Sequence, residues 1–100
     1  NGEINIDGNG GGNDNIDNVI IGANTRAAVS GTTVKKYSII NSGAIIEHDC
    51  RIGIGTHVAP GAIILGSTIC GNCCMIAAGS IITPGKTLQD YSFIKASKVI

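Results

Sequence analysis

Val34, Ile40, Ile46, Ile52, Val58, Ile64, Cys70, Ile76, Ile82, Leu88, Ile94 and Ile100 follow one another at intervals of six residues, and all but Cys70 are aliphatic. An amphipathic helix would need apolar residues every three or four positions, so an unbroken period of six marks a repeat architecture. Two residues before these positions stand Thr32, Ser38, Ala44, Cys50, Thr56, Ala62, Thr68, Cys74 and Ser80, a second column of small side chains that Lys86 and Lys98 then break. A spacing of two is the strand period, so the small and the aliphatic residue of each repeat face the same way and the residue between them faces out.

Three residues past the aliphatic position come Gly43, Gly55, Gly61, Gly79 and Gly85, with Asp49 in the same slot. A sharp bend there needs positive φ, which glycine supplies freely and aspartate tolerates better than most residues. Each hexapeptide therefore reads as one short strand and one corner. Three of them make a triangular coil of 18 residues, and successive coils stack about 4.8 Å apart as parallel strands. The expected class is all-β, a single-stranded parallel β-solenoid, over residues 28–100. Residues 1–27 are expected to form an irregular N-terminal cap or remnant with a first partial coil. Asn9 to Asn15 is rich in Gly and Asn, and Ile16, Val19, Ile20 and Ile21 are the candidates for the start of that coil.

Composition fits a narrow aliphatic interior with many tight turns: aromatic residues make up 3% of the chain, Gly numbers 15 and Trp is absent. One hundred residues allow one domain. Seven Lys plus Arg balance seven Asp plus Glu, so no overall field draws the chain to nucleic acid or to an anionic membrane. No run approaches the roughly 20 apolar residues of a membrane span and the start carries no signal pattern, so a cytoplasmic location is expected. The first residue, Asn1 rather than Met, points to a chain trimmed from something longer.

Outward residues 18 apart stack into columns, which makes each outer face legible. Face one carries Ile45, Ile63, Ile81 and Val99; face two carries Ile39, His57, Met75 and Phe93; face three carries Thr33, Arg51, Ile69 and Thr87. Faces one and two are more apolar than a monomer's scattered surface, and packing face one of each copy near face two of the next closes as a homotrimer. The competing reading is that the columns reflect only β propensity on a solvated sheet.

Two histidines are available for chemistry. His48 stands at a corner in Glu47-His48-Asp49, while His57 projects from the middle of face two. A carboxylate beside an imidazole fixes its tautomer and stabilises the imidazolium, which suits His48 to general-base work with Asp49 as its partner. One coil above His48 is Gly66, whose backbone N–H no side chain screens and which is placed to donate to a developing oxyanion. Without those neighbours, His48 would read as a solvated corner residue. Cys70, Cys73 and Cys74 resemble a metal or redox motif, but Cys50, Cys70 and Cys74 fall in inward columns, where cysteine acts as a small apolar group. Free thiols, no disulfide and no metal are expected.

The stretch Asn41-Ser42-Gly43-Ala44-Ile45-Ile46-Glu47-His48-Asp49-Cys50, followed by His57-Val58-Ala59-Pro60-Gly61-Ala62, resembles the signature segment of bacterial hexapeptide-repeat sugar acetyltransferases. The branch it is most similar to acts on sialic acid and on nucleotide-linked 4-amino sugars. The resemblance spans residues 28–100 and implies a left-handed β-helix, a homotrimer, and acetyl-coenzyme A bound between subunits. The repeat alone does not set the hand, since the general rule for parallel crossovers favours the right-handed form. By the same resemblance His48 is the catalytic base, Asp49 raises its basicity, and His57 lies by acetyl-coenzyme A. It also implies that Gly66 supplies backbone stabilisation, that Ala78 and Ala96 offer backbone to the pantetheine arm, and that Asn41 binds substrate.

Two departures bear on the acceptor. Members of that branch commonly carry an N-terminal nucleotide-sugar-binding domain of doubly wound type, and no Gly-rich strand-to-helix turn for it is present. Their usual ending is replaced by Lys95-Ala96-Ser97-Lys98-Val99-Ile100. The leading expectation is acetyl transfer from acetyl-coenzyme A to an amine or hydroxyl of a sugar. The alternative is a non-catalytic trimeric β-solenoid scaffold, or a fragment lacking its acceptor domain. A zinc solenoid would want three His ligands where this chain has two, and an ice-binding solenoid would want outward Thr ladders where these columns are Ile, Val, Met and Phe.

Overall fold

The computed structural model of the chain describes residues 3–5, 14–16, 19–27 and 31–100. The strands are β1 (Glu3–Asn5), β2 (Asp14–Ile16), β3 (Val19–Ile21), β4 (Arg26–Ala27), β5 (Thr33–Lys35), β6 (Ile39–Ile40), β7 (Ile45–Ile46) and β8 (Arg51–Ile52). Beyond them follow β9 (His57–Val58), β10 (Ile63–Ile64), β11 (Ile69–Cys70), β12 (Met75–Ile76), β13 (Ile81–Ile82), β14 (Thr87–Leu88) and β15 (Phe93–Ile94). Helices are absent among the described residues, and the chain is an all-β parallel solenoid.

Three sheets form its sides. Face one is β4-β7-β10-β13 with Val99 bridged to Ile81; face two is β2-β3-β6-β9-β12-β15; face three is β1-β5-β8-β11-β14. From β5 onward the ladders pair residues 18 apart, such as Ile45 with Ile63 and Met75 with Phe93. The three outward columns are therefore those that the period predicts. The first coil differs: Ile20 pairs with Ile39 and Arg26 with Ile45, a register of 19. One additional residue between Ala27 and Thr32 explains why strict counting by six loses the repeat before residue 28, although β3 and β4 already lie in the stack.

β1 and β2 run antiparallel, β1 on β5 and β2 on β3, and so pair the first edge of two of the three faces. Of the expected N-terminal cap, residues 1–2, 6–13 and 17–18 lie outside the described residues.

The corners take positive φ at every sixth residue. Gly31, Gly43, Gly55, Gly61, Gly79 and Gly85 do so, and so do Tyr37, Asp49, Ser67, Cys73, Tyr91 and Ser97. Inside, Val34, Ile40, Ile46, Ile52, Val58, Ile64, Ile76 and Ile82 are buried as one cluster, with Leu88, Ile94 and Ile100 packed on it but only partly covered.

The second inward column is more than small. Thr32 donates to the Glu47 carbonyl at 2.7 Å, Ser38 to Gly53 at 2.7 Å and Thr56 to Gly71 at 2.8 Å, each 15 residues ahead. The same hydroxyls accept from the next coil: Cys50 N–H on Thr32, Thr56 N–H on Ser38, and Cys74 N–H on Thr56. At the corner between faces two and one a local turn does that work, with Ala44 N–H on Asn41 and Ala62 N–H on Ala59, both at 3.1 Å. Alanine therefore suffices there, whereas Cys50, Thr56 and Cys74 at the other two corners take their N–H acceptor from a wall hydroxyl.

Candidate active site

His48 is held at the corner between faces one and three, just after β7. Its Nδ1 lies 3.0 Å from Asp49 Oδ2. A carboxylate only accepts, so the imidazole donates from Nδ1 and keeps its lone pair on Nε2. That nitrogen faces Gly66 in the coil above: a Cβ built on Gly66 would fall 2.5 Å from Nε2 and 2.7 Å from Cε1. Gly66 is buried, and its N–H has no acceptor among the described residues. Asp49 sits at φ 56, in the corner slot where half of the repeats carry glycine. The structure thus brings together His48, Asp49 and Gly66. They offer a lone pair, a carboxylate that orients it, and an unused backbone donor.

The second group is on face two. Ser42 N–H donates to Asn41 Oδ1 at 2.7 Å, which fixes the orientation of that amide. Asn41 Nδ2 then points at His57 Nε2, 3.2 Å away, and donates to it. His57 must accept at Nε2 and carry its proton on Nδ1. The two histidines are therefore presented in complementary forms, His48 as an acceptor at Nε2 and His57 as a donor at Nδ1. The Asn41–His57 pairing is absent from the sequence reading because it runs between residues 16 apart, off the column of 18.

These two groups do not meet within one chain. His48 occupies the corner opposite face two, and no hydrogen bond joins it to His57 or Asn41. Ala78 and Ala96 stand exposed, one above the other, at the corner that follows face two. Their carbonyl and amide are engaged differently: Ser97 N–H donates to the Ala78 carbonyl at 2.9 Å, while the N–H groups of Ala78 and Ala96 have no described acceptor.

The cysteines divide as the columns require. Cys50, Cys70 and Cys74 are buried, Cys73 is exposed, and all are free. Cys50 and Cys74 take the places of the wall hydroxyls, with their thiols directed at the Leu65 carbonyl at 3.3 Å and the Gln89 carbonyl at 3.2 Å. Burial pushes the Cys70 thiol up to about 12 and raises that of Cys50. Among the described residues, no three His, Cys, Asp or Glu side chains gather as a metal-binding group. No helix is long and apolar enough to cross a membrane.

The apolar columns of faces one and two are half covered at Ile45, Ile63, Ile81, Ile39 and Met75, and open at Phe93 and Val99. Compared with family models and with curated proteins, the chain matches none.

Proposed function

We propose that the chain is an acyltransferase of the hexapeptide-repeat, left-handed β-helix class, moving an acetyl group from acetyl-coenzyme A to an amine or hydroxyl of a sugar. The observation that carries this reading is the 3.0 Å His48–Asp49 pair with Nε2 lying against Gly66, whose N–H has no acceptor among the described residues. His48 Nε2 takes the proton of the attacking amine or hydroxyl as that group bonds to the thioester carbon. Gly66 N–H donates to the carbonyl oxygen as it gains charge. The imidazolium, stabilised by Asp49, returns the proton to the departing thiolate. Residues fit the coenzyme in a second respect: the free N–H groups of Ala78 and Ala96 have small side chains and suit the amides of a pantetheine arm. His57, a donor at Nδ1, lies by the acetyl-coenzyme A, and Asn41 holds it there and contacts substrate.

Because His48 and His57 lie apart in one chain, the working unit in this proposal is a homotrimer. The corner of one copy meets face two of its neighbour, and the apolar columns are buried between them. The same separation favours a second reading, a non-catalytic trimeric scaffold, if the copies assemble without completing a site.

Calorimetry with acetyl-coenzyme A, followed by thiol-release turnover on amino-sugar and sugar acceptors, separates the two. Binding near one per chain is expected. In a form of the protein that turns over, His48→Ala should lower the rate by about 10² to 10⁴ while sparing coenzyme affinity. Asp49→Asn should cost less, and His57→Ala should weaken coenzyme binding more than His48→Ala does. Silence in the calorimeter supports the scaffold, and near-parent turnover of His48→Ala removes His48 as the base.

A further inference from the structure

His48 and Asp49 are 55% and 65% exposed, so side-chain packing does little to hold either. Exposed side chains paired in this way normally swing among rotamers, and the pairing contributes little. Here the carboxylate has a floor. Asp49 Oδ1 occupies the volume that a Cβ on Gly31 would fill, and Asp49 Cγ would lie 3.1 Å from that atom. With one oxygen laid over Gly31, the other reaches His48 Nδ1. The pair is thus set between two glycines of adjacent coils, Gly31 beneath the carboxylate and Gly66 above the ring.

We infer that Gly31 is a positioning residue for the His48–Asp49 pair: the bare corner at Gly31 seats the Asp49 carboxylate so that His48 keeps its proton on Nδ1 and its lone pair on Nε2. Backbone conformation alone does not require glycine there. Gly31 has φ 86, but Asn24 holds φ 58 at another corner and six other non-glycine residues adopt positive φ. What distinguishes Gly31 is the occupied space. Gly85, at φ 76, has nothing within 4 Å of a built Cβ and serves as its control. A side chain at position 31 lifts the carboxylate, and the released imidazole moves towards the Nε2–H form that an unconstrained ring favours. The base nitrogen is then lost for part of the time. Only this kinetic consequence rests on the reading of His48 as the base; the geometry stands apart from it.

The test compares Gly31→Asn with Gly85→Asn, since asparagine tolerates positive φ and both variants differ from the parent by the same side chain. Long-range proton–nitrogen correlation on the ¹⁵N-labelled whole chain, in alkaline solution where the rings are neutral, reads each histidine's tautomer. Parent and Gly85→Asn should show His48 protonated on Nδ1. Gly31→Asn should shift His48 towards Nε2–H while His57 keeps its parent signals. A parent-like His48 in Gly31→Asn overturns the proposal. Three-bond couplings about the Asp49 Cα–Cβ bond of the parent give a second measurement that needs no variant: one rotamer is expected, and averaged couplings overturn it. Silence towards acetyl-coenzyme A in the calorimeter would remove the acyltransferase reading and leave the tautomer result standing.

Discussion

Replacing Thr56 by Val keeps the shape and β-branching of a fully buried side chain and removes only its hydroxyl. That hydroxyl donates to the Gly71 carbonyl at 2.8 Å and accepts from Cys74 N–H at 3.2 Å. After the substitution Cys74 N–H has no acceptor, and a buried donor left unpaired costs about 1–3 kcal/mol. The Gly71 carbonyl suffers less, because the Cys74 thiol also points at it from 3.5 Å. The sum is about 2–4 kcal/mol, a large share of the ~5–15 kcal/mol that a domain usually has. Urea unfolding at fixed protein concentration, with an unchanged slope, is the measurement. Thr56→Ser, which retains the hydroxyl, should lose about 1 kcal/mol or less. Ala62→Ser should change little, since the turn to Ala59 already satisfies the Ala62 N–H. A Thr56→Val chain within about 0.5 kcal/mol of the parent would refute the claim that the wall is held by hydrogen bonds.

Ile64 is fully buried between Ile46 and Ile82, so Ile64→Asp should abolish cooperative folding by placing an unpaired charge in the core, as circular dichroism would show. Ile63→Asp, on the outward side of the same strand, should instead leave the coils folded and lower the mass in light scattering from trimer to monomer. Unchanged mass would mean that face one is not an interface. For the thiols, a disulfide reagent near neutral pH should find one fast group per chain, Cys73, with Cys50, Cys70 and Cys74 reacting only on unfolding. The folded Cys70 pKa, about 12, lies above the ordinary 9.0, so its contribution to stability is complete below pH 9 and is lost as pH rises from 9 towards 12. The corresponding slope is about 1.4 kcal/mol per pH unit at most, and Cys70→Val should flatten the alkaline loss relative to the parent. Equal alkaline slopes in the two chains would contradict that assignment.

Much of this fold could be read from the sequence because its contacts obey one translation. When residue i lies on residue i + 18, a count by six gives the inward column, the three outward faces and the stacking of Gly66 on His48. The parts that escaped the count are those that break the translation. A single added residue before Thr32 moves the first coil to a register of 19, which takes β3 and β4 out of the count by six although Val19, Ile20 and Ile21 are legible as the start of a coil. The hydroxyl donors reach 15 residues ahead rather than 18, so a column that shows only small side chains in sequence proves to be hydrogen-bonded in space. Those contacts also account for a detail the period could not: Ala44 and Ala62 fall at a corner whose turn closes on its own backbone.

The site divides along the same line. His48, Asp49 and Gly66 were legible together because they are chain neighbours or column neighbours. Asn41 and His57 lie 16 apart, and only the amide fixed by Ser42 reveals which nitrogen of His57 carries the proton. His48 stands at the corner between faces one and three, whereas His57 projects from β9 on face two, so a single chain turns the two rings in different directions. In the proposed trimer, a reacting group that needs both the His48 lone pair and the His57 donor is met by two chains, with the apolar columns bringing the corner of one to the face of the other. Assembly and chemistry then depend on the same columns, and in an active trimer Ile63→Asp should abolish turnover although it touches neither histidine.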